Sequence, residues 1–219
     1  MRMPLEAIIF DHDGVLADLN YRKAAAFFSQ LLPLSLGGIV QEWNRWVQES
    51  QKHLRPGALR WDDFWDDLSV RLKLSPEVLR ELKSFRYLDL FQAFPDARPA
   101  LLEARHRGLR VAVLSNTPLV DLQEPLTHMG LDDLVDVICN PQATGATKPA
   151  PEAYQRVLEM LGLEASRCLF LDDEKANVSG AELLGMRAWH VERQRPAHDL
   201  ERNVVRDLSA LPDILARNG

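Results

Sequence analysis

Four times along the chain a short apolar run stops on polar, turn-prone residues. AIIF (7–10) runs into Asp11, LRVAVL (109–114) into SNTP, LVDVIC (134–139) into NPQATG, and CLFL (168–171) into DDEKAN. AWHV (188–191) is a weaker fifth case. Their β-branched and leucine content, bounded by turn residues, marks buried strands. Between them lie amphipathic helical patterns at 99–108, 149–163 and 177–186. Gly108 and Gly162 stand where helix C-caps belong, Gly185 closes the third pattern, and Pro149 opens the second. Strand–helix alternation at this rhythm calls for a parallel sheet covered by helices. The fold class expected is therefore α/β, with a Rossmann-like parallel core. Ligands of such sheets sit beyond the carboxyl ends of the strands, and the polar clusters fall at that edge.

Residues 17–90 break the rhythm. YRKAAAFFSQLLPL, IVQEWNRWVQESQKHL, RWDDFWDDLSVRLKL and SPEVLRELKSFRYL all read as helices, with no strand expected among them. Pro33, Gly37–Gly38 and Pro56–Gly57 are expected to supply the breaks, and Ser75–Pro76 opens the last helix with a cap and a first-turn proline. The expected organisation is a core of residues 1–16 and 91–219 interrupted by a helical insert of residues 17–90. The insert holds every tryptophan but Trp189. Trp43 and Trp46, and Trp61 and Trp65, each share a helix face by their spacing. Packing is the expected role of these pairs, with a substrate pocket or a dimer contact as the alternative.

The formal charge of -6 gives no bulk electrostatic reason to bind nucleic acid or an anionic membrane. Cys139 and Cys168 cannot make a disulfide framework and read as small apolar residues in a reducing setting. The first apolar run meets acids too soon for a secretory leader, and no stretch reaches the ~18 apolar residues of a membrane span. A soluble, cytoplasmic protein is expected, as a monomer or a homodimer.

The strand ends carry the chemistry. In AIIFDHDGVLAD, extended-chain alternation puts Asp11 and Asp13 on one side and His12 on the other. Two carboxylates this close repel unless a cation lies between them. Mg2+ suits the role, taking hard oxygen ligands and pairing with phosphate. A second acid pair, Asp172–Asp173, ends another strand and is available to the same ion. Ser115 and Asn116 offer a hydroxyl, an amide and nearby main-chain N–H groups. Lys148 stands before a helix N-terminus with a point charge suited to phosphate. The histidines show no paired ligand spacing, which argues against zinc.

Taken in order, FDHDGVL, VLSNT, KPAPEAY and LFLDDEKANVSGAELLGM resemble the four motifs of the haloacid dehalogenase superfamily, whose members are mostly Mg2+-dependent phosphatases. The insert after the first motif resembles the family's helical cap. RWDDFWDDLSVRLKLS and the DDEKAN form of the fourth motif look most like its small sugar-phosphate phosphatases. The resemblance implies a phosphatase acting on a small phosphorylated metabolite, sugar phosphates among the candidates. It implies Asp11 as nucleophile, forming an aspartyl-phosphate, and Asp13 as general acid/base. Mg2+ would be held by Asp11, the main-chain carbonyl of Asp13 and Asp172. Ser115, Asn116 and Lys148 would bind phosphate, Asp173 would hold a water or orient Lys148, and Asn177 would brace the loop. Gly14 fits the tight turn after the acids.

His12 departs from the family's usual apolar residue; a buried, satisfied histidine is expected, with tuning of the site as the alternative. The 2-haloacid dehalogenases of the family lack the second aspartate, so Asp13 argues against that activity. A phosphonate hydrolase would need a cap lysine, and neither Lys23 nor Lys52 stands in a matching context. A phosphomutase, or a non-catalytic regulatory protein on the same fold, stands as the alternative to hydrolysis.

Overall fold

A computed structural model describes residues 3–50, 61–117 and 122–218. The expected break at Pro56–Gly57, Lys52 and the side chain of Trp61 lie outside the described set. The chain enters on strand β1 (Ala7–Phe10) and, after a turn, makes the short strand β2 (Ala17–Leu19). Four helices follow: α1 (Tyr21–Leu31), α2 (Leu36–Ser50), α3 (Trp61–Leu72) and α4 (Pro76–Ser84). Strand β3 (Phe91–Ala93) leads back to α5 (Ala97–His106), β4 (Arg110–Leu114), α6 (Gln123–His128), β5 (Val137–Cys139) and α7 (Pro141–Thr144). The remainder is α8 (Pro151–Leu161), β6 (Cys168–Asp172), α9 (Lys175–Leu183), β7 (Arg187–Val191), β8 (Val204–Val205) and α10 (Leu211–Asn218).

The main sheet has the order β5-β4-β1-β6-β7-β8, and every pairing in it is parallel. All four residues of β1 are fully buried, as a central parallel strand covered on both faces requires. Ile8 and Phe10 pack with α5, α6 and α10, whereas Ala7 and Ile9 pack with α8 and α9. The expected α/β core is what forms. Cys139 and Cys168 are free, buried and part of the second of these layers, and burial raises both thiol pKa values, to about 11 and about 12. Among the described residues no single helix is long and apolar enough to cross a membrane.

The helices α1 to α4 bury a separate apolar cluster that includes Phe28, Trp43, Phe64, Trp65 and Leu82. The Trp43 and Trp46 rings lie 5.4 Å apart and both meet Phe64 edge-on, and Trp65 sits 4.7 Å from the same ring. Trp43, Trp46 and Trp65 thus pack within the insert, and Trp43 also borders a cavity against the core. Ser75 caps α4 as expected, its hydroxyl accepting from the Val78 N–H.

Three expectations are corrected. Gly37–Gly38 does not break the chain but lies in the first turn of α2, because the Ser35 hydroxyl accepts from the Gly38 N–H and starts the helix there. The stretch from 17 to 90 does contain a strand: β2 pairs antiparallel with β3, Leu19 opposite Phe91. A three-residue strand shows no periodicity, and its partner lies across the whole insert. Helix α8 begins at Pro151 rather than Pro149, since Ala150 is extended and the second proline takes the first-turn position.

Deleting side-chain volume at the centre of the sheet tests the packing. Ile9→Ala is expected to cost roughly 2–5 kcal/mol of unfolding free energy, read from urea denaturation. A loss below ~1 kcal/mol would contradict the burial of β1 on both faces.

Candidate active site

Because β4, β1 and β6 are neighbours in the sheet, the residues that follow them emerge side by side at one edge. The Asp11 N–H donates to the Leu171 carbonyl at 2.8 Å and the Ser115 N–H to the Cys139 carbonyl at 3.0 Å. The ladder thus extends one residue past each strand, and those residues carry the polar side chains. Asp172 is the last residue of β6 itself and is fully buried.

Lys148 ties these ends together. Its Nζ lies 2.7 Å from Asp11 Oδ1 and 2.6 Å from Asp172 Oδ2, with all three residues buried. Asp11 Oδ1 also accepts from the His12 N–H at 2.7 Å. Among the described residues its other oxygen has no hydrogen bond. Asp172 Oδ1 accepts from the Glu174 N–H at 2.8 Å and from Asn177 Nδ2 at 3.0 Å. Asn177 is braced in turn by the Tyr154 hydroxyl, which donates to its carbonyl at 2.8 Å. Lys148 is set from its main chain: its N–H donates to Asn116 Oδ1 at 2.7 Å and its carbonyl accepts from Asn116 Nδ2 at 2.9 Å. Gly180 on α9 lets this segment approach closely, since a Cβ there would stand 3.0 Å from Pro149 Cβ and from the Tyr154 hydroxyl.

The electrostatics are unbalanced. Carboxylate oxygens of Asp11, Asp172 and Asp173 all lie within 4.8 Å of one another, and Lys148 supplies one positive charge. Each like-charge pair at ~4 Å costs on the order of 4 kcal/mol at a protein-surface dielectric. Burial pushes the Asp11 carboxyl well above the usual carboxylate range; Lys148 opposes this and Asp172 adds to it. Burial works against the Lys148 ammonium, yet Asp11 and Asp172 outweigh it and hold its pKa above the ordinary lysine value. Asp173 stands at the solvent side, where partial desolvation followed by the charges of Asp172 and Glu174 lifts it to about 6. Three hard oxygen donors in excess negative charge are the donor set that a small divalent cation requires.

Asp11 and Asp13 open onto the same cavity and His12 does not, but a turn rather than extended alternation arranges this. The His12 ring is buried, meets Phe91 edge-on at 5.2 Å, and holds Asp13 Oδ1 through Nδ1 at 2.8 Å. Its Nε2 is buried with no partner among the described residues, so the expectation of a satisfied histidine is corrected: one ring nitrogen bonds and the other does not. Gly14 adopts φ +79°, and a Cβ there would lie 2.2 Å from Asp173 Oδ2. The expected role of Gly14 thus has a specific cause, the carboxylate on the facing loop.

The cavity measures about 460 Å³. Asp11, Asp13, Ser115, Asn116, Lys148 and Asp173 line its core side, and Phe28, Ile39 and Trp43 line the side made by the insert. Ser115 Oγ accepts from the Thr117 N–H at 3.0 Å, leaving its own proton free to donate. The Asn116 carboxamide is committed to Lys148 rather than turned wholly to the cavity. The Asp13 carboxylate stands apart from the three that converge. Sequence reasoning missed Thr117, Glu174 and Tyr154. Tyr154 carries only the signature of a core position in an amphipathic helix, and the contacts of Thr117 with Ser115 and of Glu174 with Asp172 run through main-chain N–H groups that any residue supplies.

A carboxyl whose folded pKa exceeds its unfolded value favours folding at low pH, and that contribution disappears as pH rises through the folded value. Asp173, raised from 3.8 to about 6, should therefore weaken the metal-free protein above about pH 6. With EDTA present, Asp173→Asn is expected to raise Tm at about pH 7.5 and to change it far less at about pH 4. Equal Tm shifts at both pH values would contradict the assignment.

Residues 5–185 match the model of the haloacid dehalogenase-like hydrolase family. The chain is 39% identical to Phosphatase MT3486 of Mycobacterium tuberculosis over 219 residues, covering 97% of this chain and 98% of that one. The fold is similar to that of 2-haloacid dehalogenase from Pseudomonas syringae, with TM-score 0.69, 25% identity, and 98% and 100% of the two chains covered. It is similar also to a phosphatase of the same superfamily from Thermococcus onnurineus, with TM-score 0.63, 24% identity, and 96% and 98% covered. A family match across most of the chain, a fold shared end to end, and an acid-lysine cluster at the strand ends give one conclusion: this chain belongs to the haloacid dehalogenase-like hydrolases.

Proposed function

We propose that the protein hydrolyses phosphate monoesters of a small metabolite through Asp11, with a divalent cation, Mg2+ by its chemistry, as cofactor. The observation that carries this reading is the state of Asp11. One oxygen is gripped by Lys148 and the His12 N–H while the other is unengaged among the described residues, and the carboxylate opens onto the cavity. A carboxylate fixed at one oxygen and free at the other is an oriented nucleophile. Its attack on phosphorus would displace the alcohol and leave an aspartyl-phosphate. Asp13, on the same cavity, would give its proton to the departing oxygen. It would then take one from the water that hydrolyses the intermediate.

The other residues divide the work of holding the phosphoryl group. Lys148 offsets its charge and keeps Asp11 in place, and the Ser115 hydroxyl proton is free for a phosphate oxygen. Asn116 serves by fixing Lys148. Asp11, Asp172 and the Asp13 carbonyl would hold the cation, with Asp173 close enough to join them or to hold its water. When bound, such an ion screens the repulsion between a carboxylate nucleophile and a phosphate dianion. The insert would act as a cap, residues 17–90 covering a core of 1–16 and 91–219 and placing Phe28, Ile39 and Trp43 over the leaving group. The relative from Mycobacterium tuberculosis is named a phosphatase, which supports this chemistry over dehalogenation.

An aryl phosphate tests the reading directly. Turnover is expected with Mg2+, abolished by EDTA and restored by excess Mg2+. Asp11→Asn should lower kcat by at least ~10³-fold with its fold intact by circular dichroism. Undiminished hydrolysis by Asp11→Asn, or in EDTA, would refute the nucleophile or the metal requirement respectively.

A further inference from the structure

Arg193 lies two residues past the end of β7 and is used by nothing described so far. Its Nε donates to the Gly14 carbonyl at 2.9 Å and its Nη2 to the Val15 carbonyl at 2.5 Å. Its Nη1 reaches both oxygens of Asp96, at 3.2 and 3.3 Å. The guanidinium carbon lies 3.4 Å from the centre of the Phe94 ring, and Asp96 Oδ2 accepts in addition from the Leu208 N–H at 2.5 Å. Arg193 and Asp96 side chains are each 18% exposed, so this is a mostly buried pair rather than a surface one.

The partners fall on two different stretches of chain. Gly14 and Val15 follow Asp13 directly, on the way out to the insert. Phe94 and Asp96 follow β3, on the way back. The two stretches touch each other through the Phe94 N–H, which donates to the Leu16 carbonyl at 3.0 Å. One planar fork therefore grips both connections at the point where they leave the core. Lysine offers a point charge on a flexible stem and cannot match two carbonyls and a carboxylate at once. The turn it holds has little slack on its other side, where Gly14 is pressed against the Asp173 carboxylate.

We infer that Arg193 is a positioning residue for Asp13: it fixes the turn that carries the acid/base and locks that turn to the returning connection. The inference rests on the acid/base role proposed for Asp13. Arg193 touches no cavity residue's carboxylate, so its effect would come through where Asp13 points. Misplacement of a catalytic group by ~1 Å can cost on the order of 10²-fold in rate.

The test is kcat/KM across phosphate esters whose leaving groups differ in basicity, from 4-nitrophenyl phosphate to an alkyl phosphate. Wild type is compared with Asp13→Asn, Arg193→Met and Arg193→Lys, each rate being normalised to folded protein. A nitrophenolate departs without a proton, so Arg193→Met should lose less than about threefold there, against ~10–100-fold on the alkyl ester. Asp13→Asn should show the same dependence, more steeply. Arg193→Lys keeps the charge and stem, should fall between wild type and Arg193→Met, and carries the same comparison if Arg193→Met does not fold. A uniform loss across all esters in the Arg193 variants, beside a steep dependence in Asp13→Asn, would make Arg193 a structural brace and overturn the inference. A flat response in Asp13→Asn would instead remove the acid/base role of Asp13, and this inference with it.

Discussion

One ammonium group holds the site together. Lys148 Nζ bridges the carboxylates that end β1 and β6, both buried. Two carboxylates out of water at this separation are unfavourable without a cation, and a buried cation is unfavourable without them. Removing the lysine would leave two buried carboxylates facing each other with nothing to offset them. The surrounding structure is consequently arranged to keep Lys148 in place. Asn116 clasps its main chain from the end of β4, and Tyr154 supports Asn177, which supports Asp172. Phe170 presents its ring 5.6 Å from the ammonium and adds a weaker attraction. Three strands and two helices are thus joined through a set of polar contacts that a purely apolar core would not need.

Much of this was legible in the sequence, for a physical reason. Buried parallel strands must be apolar throughout and must end in residues that can turn, so the strands announce themselves and their polar termini mark the edge where chemistry collects. Asp11, Asp13, Ser115 and Asp172 are legible that way and Lys148 by its place before a helix, and the fold brings all five to that edge. Asn116 was found too, but with its carboxamide on the lysine main chain rather than simply facing the cavity. What was not legible depends on partners distant in sequence. Strand β2 exists because β3 returns beside it, the start of α2 is decided by a serine hydroxyl, and the His12 ring turns to Asp13 because the chain bends after Asp11. Arg193 belongs to the same class: an arginine in an irregular stretch carries no periodic signal, and its meaning lies in the carbonyls it reaches.

The site also gathers unfavourable choices in one place. A small residue at 14 is demanded by Asp173, and an acid at 173 is costly beside Asp172 and Glu174. Neither choice helps the fold. Both bring carboxylate oxygens together at the mouth of the cavity, where a divalent ion would relieve the repulsion they create.

The antiparallel ribbon of β2 and β3 has a consequence for how such a chain can change over time. The Asn20 N–H donates to the Leu90 carbonyl at 2.9 Å, so the chain leaves the core and comes back to it at hydrogen-bonded neighbours. Everything between is, to the sheet, a single closed loop whose ends are already fastened. The entropy of closing a loop grows only with the logarithm of its length. Lengthening, shortening or exchanging the helices in that loop would therefore leave strand order, register and the acid-lysine cluster almost untouched. The core can stay constant while the insert's wall of the cavity is rebuilt, so the shape of the cavity can diverge here faster than the cluster at its base.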